Sequence, residues 1–87
     1  MAKEYNGHRS WNAWNVALWI NNEESLYNLA QEVCTETVKQ GRSIDTASTK
    51  FIKWLGATNT PDGATYNRLC VKLAIRDIYD EVRKQYE

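Results

Sequence analysis

Histidine and cysteine, the side chains most often used for metal binding and nucleophilic catalysis at neutral pH, are few in this chain and far apart. There is one histidine, His8, and two cysteines, Cys34 and Cys70, in 87 residues. Zinc takes several Cys or His ligands at close spacing, and nucleophilic catalysis takes a nucleophile, a base and an orienting group that converge. No motif brings such groups together, and the glycines are isolated turn and cap residues, not a phosphate loop. The sequence therefore predicts no enzyme, no metal and no cofactor. Cys34 and Cys70 fall at apolar positions of predicted helices and read as buried reduced thiols. A disulfide between them stays open at this level.

The remaining chemistry is recognition. Arg68, Lys72 and Arg76 stand at i, i+4 and i+8, one row of a helix. Such a row could contact phosphates or an acidic partner. It could equally be a solvated face carrying an Arg76–Asp80 and Asp80–Lys84 ion-pair ladder. A second constellation lies near the amino end, where Trp11, Trp14 and Trp19 fall within nine residues. On a helical wheel Asn12, Asn15 and Trp19 form one strip. Buried, the two carboxamides need hydrogen-bond partners. Exposed, Trp19 between two amides is a protein-binding anchor of the kind enriched at hot spots.

Helices must position these groups. The first is expected to start at Ser10, whose hydroxyl can cap it, and to end at Asn21-Asn22. Trp11, Trp14 and Leu18 share one face; Ala13, Val16, Ala17 and Ile20 share another. A helix apolar nearly all round is normally central, which assigns Trp11 and Trp14 to the core. The second helix should span Glu23 to Gln40, with Asn21 and Glu24 as a capping box. Leu26, Leu29, Ala30, Val33, Cys34 and Val38 form its inner face, and Gly41 is the expected terminator. The third runs from Asp45 or Thr46 to Leu55, capped by Ser43 or Asp45, with Ala47, Phe51, Ile52, Trp54 and Leu55 inward. Thr60-Pro61-Asp62-Gly63 fits a type I turn. The last helix is expected from about Thr65 to Gln85, wedged between neighbours in its first half. No strand-like alternation appears.

The sum is an all-α, small four-helix single domain at residues 10–87, preceded by an arm at 1–9 in which Asn6-Gly7 marks a turn and Tyr5 an anchor. Its core is expected around the first helix and the first half of the last. A hydrophobic share of 43% with 25% charged residues is that of a folded, not a disordered, chain. Net charge is zero, without the basic excess of a dedicated nucleic-acid binder. Locally the signs separate. Residues 17–38 carry four glutamates and no Lys or Arg; residues 46–76 carry five basic residues against Asp62 alone. No apolar run approaches a membrane span, and no signal-peptide core is visible, so a cytoplasmic protein is expected.

The third and last helices also suggest a helix-turn-helix, with Thr65, Asn67, Arg68 and Lys72 as base- and phosphate-reading residues. The connection between them is longer than the tight turn of that motif.

Two segments carry a resemblance. Tyr5-Asn6-Gly7-His8-Arg9-Ser10-Trp11-Asn12-Ala13-Trp14-Asn15-Val16-Ala17-Leu18-Trp19-Ile20-Asn21-Asn22 and Thr60-Pro61-Asp62-Gly63-Ala64-Thr65-Tyr66 resemble a family of small proteins of unknown function encoded by bacteriophages and prophages. The likeness spans most of the chain, though residues 35–58 show no match. It implies a phage accessory protein working inside a bacterial cell. By analogy such proteins bind and inhibit one bacterial host protein, a defence component in the case of anti-CRISPR-like inhibitors. The residues expected at that interface are Asn12, Asn15 and Trp19, or Arg68, Lys72 and Arg76. The alternatives are a small helix-turn-helix-like DNA-binding regulator and a self-associating structural protein, in which a homodimer would form through the first helix or the end of the last.

Overall fold

The computed structural model describes residues 10–86, so the expected arm, with Tyr5, the Asn6-Gly7 turn and His8, lies outside the described residues. Four helices follow in order: α1 (Trp11–Asn22), α2 (Glu24–Lys39), α3 (Ile44–Leu55) and α4 (Arg68–Gln85). The small all-α single domain expected from periodicity is what forms.

Local chemistry accounts for most of the boundaries. The Ser10 hydroxyl accepts from the Ala13 amide at 3.1 Å and starts α1. α2 ends in a Schellman arrangement. Gly41, at φ 71°, donates to the Val38 carbonyl, and Arg42 donates back to Thr37. Gly56, at φ 72°, ends α3.

Three boundaries differ from expectation. Asn21 does not cap α2, because it still belongs to α1 and turns its carboxamide onto the Ala17 carbonyl at 2.8 Å. Glu23 alone joins the two helices, as the last residue of one and the cap of the next. α3 starts one residue early, at Ile44, behind Ser43. α4 starts three residues later than expected, because Thr65 pairs with Asn59 in an isolated antiparallel bridge and Asn67 takes the cap, its Oδ1 accepting from the Cys70 amide at 2.9 Å.

The packing reverses one expectation. α1 is not the centre. α2 and α4 each pack on all three other helices, while α1 and α3 lie to either side and do not touch. The small face of α1, Ala13, Val16, Ala17 and Ile20, is the buried one. Trp11 is 38% exposed, Trp14 half-buried and Trp54 59% exposed. The physical reason is shape: alanines let α1 approach α2 and α4 closely, and among the described residues a flanking helix has no neighbour to cover a second bulky face. The centre is Phe51, Ile20, Ile75, Val16 and Val71, all fully buried.

Phe51→Ala is expected to cost about 4 kcal/mol in urea unfolding. Trp54→Ala is expected to cost about 1 kcal/mol or less, although it removes the larger ring.

Candidate interaction surfaces

The α3–α4 connection, residues 56–67, folds back as a short hairpin on the flank of α1. The turn expected at 60–63 forms, with Gly63 donating to the Thr60 carbonyl at 2.9 Å. Gly63 then adopts φ 95° and Thr60 donates to the Ala64 carbonyl at 2.7 Å. This is the three-residue hairpin loop closed by a left-handed glycine.

The Asn12–Asn15–Trp19 strip of α1 holds this hairpin. Asn15 is 1% exposed. Its Nδ2 donates to Asp62 Oδ2 at 2.9 Å, and its Oδ1 accepts from the Thr60 hydroxyl at 2.6 Å. That hydroxyl in turn accepts from the Ala64 amide at 3.0 Å. The Trp19 indole donates to the same Asp62 oxygen at 2.9 Å. One turn earlier, Asn12 pairs with the Thr65 backbone in both directions, donating to its carbonyl at 2.8 Å and accepting from its amide at 2.7 Å. Asn12 Nδ2 also reaches the Cys70 sulfur at 3.2 Å. No buried side-chain nitrogen or oxygen among the described residues lacks a partner. The strip expected at a partner interface is thus an internal clasp, and its carboxamides are engaged within the chain.

Asp62 is exposed, yet the hydrogen bonds from Asn15 and then Trp19 hold its carboxyl below the ordinary 3.8, outweighing desolvation in the opposite sense. The sequence marked the two asparagines and the indole but not Thr60 and Asp62 as their partners. The available signal was Asp62 itself, the lone acid in a basic stretch.

With that strip engaged, the bare face of α1 is Trp11, Trp14 and Leu18, the last 38% exposed. Two shallow hollows flank Leu18, one of about 270 Å³ beside Trp19, Asn22 and Glu23 and one of about 160 Å³ beside Trp14 and Asn21. Asn22 returns its carboxamide to the Leu18 carbonyl at 2.9 Å, as Asn21 does to Ala17. The amide nitrogens of both residues are therefore engaged within α1.

The basic row divides. Lys72 pairs with Asp45 at 3.0 Å. Arg68 is exposed on the first turn of α4. Arg76 faces a groove toward the α2–α3 turn, which Arg42 and Arg83 also line. The Arg76–Asp80–Lys84 ladder does not form, since the ion pairs among the described residues are Lys72–Asp45 and Lys50–Glu36. Because α4 begins at Arg68, Thr65 and Asn67 precede it, so Thr65, Asn67, Arg68 and Lys72 do not share one helix face. Both cysteines are free and buried; burial pushes the Cys34 thiol up to about 12, away from any thiolate role at neutral pH. Among the described residues no helix is long and apolar enough to cross a membrane.

A model of a family of unknown function, DUF7249, matches residues 1–86. The chain belongs to that family. The match takes in both α1 and the hairpin that it clasps. Comparison with curated proteins and with solved structures finds no match.

Asn15→Leu, close in volume, is expected to cost about 2 kcal/mol in urea unfolding, because Thr60 and Asp62 lose a buried partner. Asp62 has a lower carboxyl pKa folded than unfolded, so its contribution is complete above 3.8 and is lost as pH falls through the folded value. The Trp19 indole N–H resonance is expected to move upfield below pH 3.8. In Asp62→Ala it should sit at the upfield position at every pH.

Proposed function

We propose that this chain is a non-enzymatic binding protein that docks on a bacterial protein through the outer face of α1, with Trp11, Trp14 and Leu18 as anchors. The observation that carries the reading is the orientation of α1. Ala13, Val16, Ala17 and Ile20 point into the core, while Trp11 and Leu18 point out. Two large exposed apolar side chains on one helix face, with a half-buried indole between them, form a patch of the kind that marks interaction sites. Shallow hollows on both sides of Leu18 offer places for a partner's apolar side chains. Because Asn12 and Asn15 bond within the chain through both ends of their carboxamides, a partner covering this face strands neither of them.

The class of partner follows from the resemblance to phage and prophage proteins: a host protein, inhibited by being covered. The absence of a convergent set of nucleophile, base and orienting group in the sequence favours binding over catalysis.

The test is co-purification from a bacterial lysate. Tagged protein should retain one host protein at a fixed ratio. Leu18→Glu should lose it while keeping the wild-type melting curve, and Trp54→Ala, on the far flank of the bundle, should keep it. Equal retention by Leu18→Glu would overturn the proposal. A free chain that light scattering finds dimeric, and that Leu18→Glu makes monomeric, would assign the face to self-association instead.

A further inference from the structure

The groove beside α4 has a different chemistry and shares no residue with the outer face of α1. It lies between the α2–α3 turn and the middle of α4 and encloses about 560 Å³. Arg42 and Arg76 are among its lining residues, with one acidic residue, Asp80. Its turn is held from both sides. The Arg42 amide donates to the Thr37 carbonyl at 3.0 Å, and the Arg42 carbonyl accepts from the buried Tyr79 hydroxyl at 2.7 Å. The Arg42 side chain therefore projects from a fixed backbone at the edge of the groove.

The same turn delivers the start of α3. Ser43 occupies the cap position, but its hydroxyl makes no capping bond. The Thr46 and Ala47 amides both go to the Ser43 carbonyl, and the Ile44 and Asp45 amides have no acceptor among the described residues. Asp45, which would otherwise oppose an anion here, is drawn to Lys72. Charge sorting along α4 reinforces the contrast, since Asp77 and Glu81 line a separate groove facing α1 and α2.

We propose that this groove binds a small phosphate-bearing ligand, with the forks of Arg42 and Arg76 on its oxygens and the Ser43 hydroxyl and first α3 amides completing the cradle. Guanidinium forks match phosphate oxygens in pairs, and a helix start adds amides and a positive dipole end. Asp80 repels any anion and lowers affinity; the attraction of the paired guanidiniums grows with ligand charge, so they favour a multiply charged phosphate over a singly charged anion.

The test is calorimetric titration of the full chain with inorganic pyrophosphate at low salt. Saturable one-to-one binding is expected. Arg42→Gln and Arg76→Gln should each weaken it about tenfold or more, and Asp80→Asn should tighten it severalfold. Arg68→Gln, which removes the same charge outside the groove, should leave it within about twofold. Absence of saturation, or equal losses in Arg68→Gln and Arg76→Gln, would overturn the proposal. So would binding of a DNA duplex at a concentration of phosphate at which pyrophosphate does not bind, since the phosphate would then belong to a nucleic-acid backbone.

Discussion

One buried carboxamide holds this fold to its own longest connection. Asn15 sits within the packed face of α1, where a polar group without partners would cost a few kcal/mol, about 1–3 by mutational measure. Its two ends are satisfied only by the Thr60 hydroxyl and the Asp62 carboxylate, which are residues of the hairpin between α3 and α4. The hairpin cannot leave without stranding Asn15, and α1 cannot turn about its axis without losing the hairpin. Asn12 makes the same demand one turn earlier through the Thr65 backbone. A twelve-residue connection that would otherwise be loose thus becomes part of the wall, and it sets where α4 begins.

Much of this was legible in the residues. Periodicity placed four helices, Ser10 and Gly41 marked their caps and stops, and Pro61, Asp62 and Gly63 marked the turn. The wheel of α1 also sorted its residues correctly into three strips. What periodicity does not encode is which strip faces in, because a helix apolar on two sides satisfies either placement locally. Packing decided it in favour of the alanine face, since close approach to both α2 and α4 gains more contact than an indole on one of them. The start of α4 was missed for a related reason. Thr65 and Tyr66 have side chains suited to a helix, but the bridge to Asn59 and the clasp to Asn12 hold the backbone extended until Asn67 caps the next turn.

The clasp and the groove share a logic although they lie apart. In each, a buried or half-buried side chain from one helix fixes the backbone of a turn between two others: Asn12 and Asn15 for the hairpin, Tyr79 for the α2–α3 turn. Helices set the distances, and single polar contacts set the turns. The charged side chains are left out of this arrangement for the most part, which is why Arg42 and Arg76 can be presented outward on a stable frame.

The division of α1 into three strips has a consequence for kinship. The inward strip and the clasping strip answer to the rest of the same chain, so any sequence that shares them inherits the scaffold. The third strip is only partly covered by the described residues. Two proteins alike at Asn12, Asn15, Trp19, Thr60 and Asp62 can therefore be the same body with different hands, and likeness in the clasp says nothing about what either of them holds.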